Sequence, residues 1–261
     1  MNGHVIITGA ASGIGWALAQ VYWQQGYHLH LIDRDGERLL ARQQAYRERM
    51  EVYPLDLLDD GACDTFCQQF LARDLPLARL INNAGITHRS KASLTELTVF
   101  DRVMQLNWHV PVLLTQRLLP ALQQAKGKVI TLGSMASLMP VPGRAAYCAS
   151  KAAVSQHFET WRPELRHLGI GLLMVYPSFV NTDIEQNALG QHGDGASHPR
   201  STIGKAITAD DMAAAIYRAD QQNVRRWLSP VLSPRVGLWL WRIFPRLFER
   251  LSWQRFRGEW S

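Results

Sequence analysis

The chain has 261 residues, of which 47% are hydrophobic and 19% charged, an ordinary globular composition that suits one large α/β domain without need of a second. Its formal net charge is +6, yet residues 225–261, with eight arginines and two glutamates, carry all of it. The first 224 residues balance 20 basic against 20 acidic side chains, so the high overall charge gives no case for nucleic-acid binding by the body.

Short apolar runs alternate with longer amphipathic stretches, the pattern of βα units around a parallel sheet. Strands are expected at 4–8, 27–32, 51–55, 78–81, 128–132 and 170–176, with a short seventh at 225–228. Helices are expected at 13–25, 35–49, 61–73, 98–125, 145–168 and 209–222. The first strand begins by His4, which leaves no room for a signal peptide and points to a cytoplasmic protein. Cys63, Cys67 and Cys148 fit a reducing compartment, and no ligand partners stand at metal-site spacing near the first two, so no metal is expected.

Residues 183–208 interrupt the rhythm with four glycines and scattered polar residues. At the carboxyl end of a strand so long a loop reads either as a substrate lid or as a surface insertion.

Two motifs carry chemistry. The turn Thr8-Gly9-Ala10-Ala11-Ser12-Gly13-Ile14-Gly15 follows a strand and opens a helix, so its backbone N–H groups can reach a pyrophosphate at the positive helix end. Tyr147 and Lys151 lie four apart on one helix, which sets an ammonium beside a phenol and favours the phenolate. A free tyrosine ionises near pH 10, so base work at neutral pH requires such a bias.

In this order and spacing the motifs resemble the short-chain dehydrogenase/reductase family, from His4 to about Thr182. The resemblance implies a Rossmann-type doubly wound parallel sheet of about seven strands, with helices on both faces, and NAD(P)-dependent oxidoreduction of an alcohol or ketone. It assigns Gly9, Ser12, Gly13, Ile14 and Gly15 to the pyrophosphate turn, Asp56 and Leu57 to the adenine, and Asn82, Asn83, Ala84 and Gly85 to the signature that supports the sheet and lines the cofactor. Tyr147 becomes the general acid/base, exchanging the hydroxyl proton while hydride passes between carbon and nicotinamide. Lys151 also takes the nicotinamide ribose, Ser134 steadies the substrate oxygen, and Asn107 is the helix asparagine whose distorted backbone holds a water. A homodimer or homotetramer is implied as well.

Asp33 ends the second strand, where a carboxylate accepts ribose hydroxyls and repels a 2′-phosphate. That favours NAD. Arg34 beside it leaves NADP open, and capping of the next helix is a second reading of Asp33. Where the family usually has Pro-Gly, this chain has Pro177-Ser178, followed by Thr182 for the nicotinamide end; serine lacks the permissive backbone of glycine. Pro163 is expected to kink its helix near Arg162. His88, His109 and His157 need no catalytic role, whereas Arg89 and Met139 lie in loops expected to border the substrate. The apolar run Met135–Val141 leans toward a hydrophobic alcohol or ketone.

Residues 230–261, outside a catalytic domain of 1–229, interleave four tryptophans and three phenylalanines with six arginines. Pro234 and Pro245 each suit a first helical turn, so two short amphipathic helices are expected, too short to span a bilayer. They read as helices packed on protein or, alternatively, as a peripheral membrane contact. A non-catalytic nucleotide sensor is the remaining alternative, against which the set Asn107, Ser134, Tyr147 and Lys151 argues.

Overall fold

A computed structural model describes residues 3–44, 46–182, 184, 187–196 and 206–259. Seven parallel strands, β1 (His4–Thr8), β2 (His28–Asp33), β3 (Met50–Pro54), β4 (Leu77–Asn82), β5 (Lys128–Leu132), β6 (Gly171–Tyr176) and β7 (Arg226–Leu228), form one sheet in the order β3-β2-β1-β4-β5-β6-β7. Strand periodicity divides the core in two. Val5 and Ile7 of β1 face one layer, built from α1 (Gly13–Gln24), α2 (Gly36–Gln43) and α7 (Ala209–Gln221). Ile6 faces the other, built from α3 (Asp60–Ala72), α5 (Val110–Gln124) and α6 (Ala145–His167). Both sheet faces are therefore covered, as a parallel sheet requires.

The strand order reverses between β1 and β4, which opens a crevice above their carboxyl ends. The loops after β1, β4, β5 and β6 all meet there. This is the Rossmann-type α/β fold.

Several local details differ from these expectations or add to them. The helix expected at 35–49 stops at Gln43, because Gln43 Nε2 donates to the Met50 carbonyl at 2.8 Å and Tyr46 turns to pack against Trp23 at 4.9 Å. Side-chain packing on α1 thus overrides helix propensity. The helix expected at 98–125 is α4 (Leu97–Met104) joined to α5 through a wide π turn, Gln105–His109. Pro111 has no N–H to give the Asn107 carbonyl four residues earlier, and Val110 N–H bonds to the Gln105 carbonyl instead. Around Pro163, α6 continues as one helix from Ala145 to His167, and Arg162 beside it donates to the carbonyls of Leu172 (2.6 Å) and Arg225 (3.1 Å). Ser178 needs no left-handed backbone, and its hydroxyl bonds to that of Ser229 at 2.7 Å, a contact glycine could not make.

The basic segment forms a hairpin of two helices, α8 (Leu232–Ile243) and α9 (Pro245–Phe256), with Pro245 opening the second. Trp260 and residues 197–205 of the long loop lie outside the described residues.

Candidate active site

Glycine shapes the first part of the crevice. Gly9 (φ 65°) and Gly13 (φ 52°) hold left-handed conformations that L side chains resist, and a Cβ on Gly15 would strike the Gly9 carbonyl. Around this turn, Asn83 Nδ2 donates to the carbonyls of Thr8 (2.9 Å) and Gly9 (3.1 Å). Thr8 Oγ1 accepts from the backbone N–H of Asn83 and Ala84 at 3.1 and 3.0 Å. The two loops are tied before anything binds. Ser12 N-caps α1 without a side-chain hydrogen bond, and Ser12, Gly13 and Ile14 all line the crevice at that helix end.

Asp33 sits at the rim, where one oxygen accepts from Ala11 N–H at 2.9 Å and the other from Asp35 N–H at 3.1 Å. It does not cap the next helix; Asp35 does, accepting from Arg38 N–H at 3.0 Å. Arg34, Asp56 and Leu57 share the same wall, with Asp56 fixed by Leu58 N–H at 3.0 Å.

The second part holds the polar side chains. Two residues beyond the buried β5 comes Ser134, whose hydroxyl caps the short helical turn Met135–Ser137 while Ser137 Oγ accepts from Ser134 N–H at 3.1 Å. Gly143 (φ 78°) then turns the chain into α6, which places Tyr147 in its first turn and Lys151 one turn on. Lys151 Nζ donates to the Leu132 carbonyl at 2.8 Å and lies 6.0 Å from the centroid of the Tyr147 ring. Asn107 is clamped, its Oδ1 accepting from Ile86 N–H and its Nδ2 donating to the Ile86 carbonyl and Ser150 Oγ, all at 2.9 Å. A Cβ on Gly85 would lie 3.0 Å from Asn107 Oδ1 and 3.4 Å from Lys151 Nζ, so a side chain there would crowd both groups.

Burial pulls the Lys151 ammonium down to about 8. A lysine depressed in this way opposes folding most strongly below pH 8, and the penalty lifts as pH rises toward its unfolded value near 10.4. Lys151→Met is therefore expected to be more stable than wild type at pH 7 by about 1–3 kcal/mol, with the gap closing near pH 10. Urea unfolding at the two pH values checks this; a variant weaker at both would mean that the Leu132 hydrogen bond outweighs desolvation.

One cavity of about 580 Å³ joins the two parts and includes Gly9, Ser12, Gly13, Ile14, Asp33, Asn83, Ala84, Gly85, Ser134, Tyr147, Lys151, Pro177 and Thr182 in its lining. Gly15 and Asn107 stand behind that lining as packing and clamp. Met135, Met139, Pro140 and Val141 make its apolar wall. Arg89, expected there, is instead buried, its N–H bonded to the Leu189 carbonyl at 2.8 Å away from the lining. His88, His109 and His157 also lie outside it, and burial, aided by Arg144, pushes His88 down to about 4.

Sequence reasoning missed three contributors. Ser150 links Asn107 to the Tyr147 carbonyl, accepting from one and donating to the other at 2.9 Å. Buried Arg144 lines the cavity at the entrance to α6. Val236, Leu240, Phe248 and Leu251 of the C-terminal hairpin close one side of it. The serine spacing on α6 could have revealed the first; nothing local signals the others.

Among the described residues no helix is long and apolar enough to cross a membrane, and no cluster of His, Cys, Asp or Glu could hold a metal. Burial lifts the Cys63 and Cys67 thiols to about 12, leaving them inert in α3.

Comparison with known proteins agrees with this geometry. The short chain dehydrogenase family profile matches residues 3–192. A dehydrogenase/reductase SDR family member 7B from Xenopus laevis is 32% identical over 256 residues, covering 94% of this chain and 79% of the relative. A metagenomic short-chain oxidoreductase solved with NADP is 26% identical, with a TM-score of 0.72 over 87% of this chain and 96% of its own. A 3-ketoacyl-(acyl-carrier-protein) reductase from Brucella melitensis, solved with NADH, shares the fold at 22% identity and a TM-score of 0.76, over 88% and 96% of the two chains. On the family match and the curated relative together, this chain belongs to the short-chain dehydrogenase/reductase family of NAD(P)-dependent oxidoreductases.

Proposed function

We propose that this chain interconverts a hydrophobic alcohol and its ketone or aldehyde at the expense of a nicotinamide dinucleotide, with Tyr147 as general acid/base. The observation that carries the reading is the opening of Tyr147, Ser134 and Lys151 onto one cavity with the glycine turn and an apolar wall. The residues present fit the cofactor: a Cβ at Gly9 would lie 2.9 Å from Ala84 Cα and one at Gly13 3.0 Å from the Thr182 methyl, so glycine lets the turn pack against both loops and line the cavity with bare backbone. Gly9, Ser12, Gly13 and Ile14 would hold the pyrophosphate, with Gly15 packed behind their turn, Asp33 would take the adenosine ribose, Asp56 and Leu57 the adenine, and Asn83, Ala84, Gly85, Pro177 and Thr182 the nicotinamide half.

When bound, the nicotinamide supplies the hydride acceptor or donor. Tyr147 Oη removes the alcohol proton in oxidation and returns it in reduction, so charge never accumulates on the substrate oxygen. Ser134 Oγ donates to that oxygen, and its place is set by the cap to Ala136 N–H at 3.1 Å. Lys151 holds positive charge near the phenol and offers a donor to the ribose. Asn107, locked by Ile86 and Ser150, keeps the widened turn open behind Lys151 and gives a water a place to bridge lysine and solvent. A cytoplasmic location and a homodimer or homotetramer belong to the same proposal, the second checked by light scattering.

Turnover of steroid, retinoid, fatty and sugar alcohols with NAD and NADP tests the reading; preference for the sugars would overturn its substrate class. NAD is the preferred cofactor, because the Asp33 carboxylate meets the ribose hydroxyls and opposes a 2′-phosphate. Asp33→Asn keeps the side-chain size beside Ala11 and is expected to cut the preference for NAD about 10- to 100-fold. Titration of both cofactors into both proteins decides it, and tighter NADP binding by wild type would give the pocket to Arg34.

A further inference from the structure

The C-terminal hairpin has two unlike faces. Phe248, Ser252 and Phe256 are buried toward the body, and Gly237 of α8 lies against Met139 of the cavity wall. The other face is apolar and open. Val236, Trp239 and Ile243 follow one another three or four residues apart along α8, and Phe244, Leu247 and Leu251 do the same into α9, each 48–56% exposed. The Trp239 and Phe244 rings, 6.0 Å apart, join the two stripes. Eight of the eleven exposed large hydrophobic side chains among the described residues fall in this hairpin, so the pattern is local rather than the scatter any surface shows.

Charge says what covers it. Exposed Arg235, Arg242, Arg246 and Arg250 flank the stripes, and residues 230–261 carry six arginines against two glutamates, whereas residues 1–224 balance to zero. Apolar side chains with a tryptophan, bordered by arginines and lying on helices too short to cross, match the interface of an anionic bilayer, where the rings enter the acyl boundary and the guanidinium groups meet phosphate. Val236 and Leu251 belong to both the open face and the cavity lining, so the apolar surface continues into the cavity.

We propose that the exposed face of the α8–α9 hairpin docks on an anionic lipid bilayer, with the mouth of the cavity turned toward the acyl chains. The docking stands independently of the role given to Tyr147. It is tested by co-sedimentation of the full chain with phosphatidylcholine vesicles prepared with and without phosphatidylglycerol. Two triple variants avoid the cavity lining: Trp239→Ser with Phe244→Ser and Leu247→Ser removes the stripe, and Arg242→Gln with Arg246→Gln and Arg250→Gln removes the flanking charge. Wild type is expected to partition onto the anionic vesicles about tenfold or more over the neutral ones, and each triple variant to lose about tenfold or more while keeping its unfolding temperature. Light scattering in lipid-free buffer tests the competing occupant, a second copy of this chain. Failure of wild type to sediment, binding by both variants at the wild-type level, or a lipid-free dimer that the stripe variant dissolves would overturn the proposal.

Discussion

Replacing Tyr147 with phenylalanine is expected to lower kcat about a thousandfold, within the range that loss of a positioned general acid/base produces, while cofactor affinity stays close to wild type. The ring remains and only the ionisable oxygen goes. The hydrogen bond from Ser150 reaches the Tyr147 backbone carbonyl, so the start of α6 keeps its anchor in the variant. Lys151 also keeps its bond to the Leu132 carbonyl and stays available to the ribose. Lys151→Ala should differ by damaging turnover and cofactor binding together, since one ammonium serves both. Steady-state kinetics beside cofactor titration separates the two, and substantial turnover by the phenylalanine variant would move proton transfer to another group.

Asp220→Ala is expected to destabilise the fold by about 3–5 kcal/mol, the usual cost of stripping one partner from a buried ion pair. Asp220 lies near the end of α7, fully buried, and accepts from Arg79 Nε on β4 and Tyr22 Oη on α1 at 2.8 and 2.9 Å. Lys128 Nζ on β5 lies 2.8 Å from its second oxygen. Burial raises the Asp220 carboxyl, but Arg79 and Lys128 outweigh burial and hold it below the usual carboxylate range. A depressed carboxyl contributes its stability above the unfolded pKa near 4 and loses it as pH falls through the lower folded value. Alanine would leave two cations facing each other under α7, and thermal unfolding near neutral pH should fall by about 10 °C. A variant that melts within a degree or two of wild type would show that water replaces the carboxylate there. The site lies at the far end of the sheet from the cavity, so the surviving folded fraction should bind cofactor normally.

The seven strands, the glycine turn and the tyrosine–lysine pair were legible in the chain because each rests on local periodicity or local geometry. A strand buried on both faces needs a short apolar run, a left-handed turn needs glycine, and two residues four apart on a helix share a face whatever surrounds them. The same logic placed Pro245 at the start of α9. Where a residue's fate depended on a distant partner, the chain was silent. Asp220 is 141 residues from Arg79 and 198 from Tyr22, so nothing in its neighbourhood marks it as the tie between α1, α7 and the sheet. The early end of α2 follows from Tyr46 packing on Trp23, and the burial of Arg89 from its bond to Leu189, contacts that exist only once the loops have met. The C-terminal hairpin divides along the same line. Its amphipathic helices were readable from spacing, but which apolar residues turn inward to the cavity and which stay open was decided by the body against which the hairpin folds. Periodicity sets the direction of a side chain relative to its own helix, whereas tertiary packing alone supplies the surface it meets.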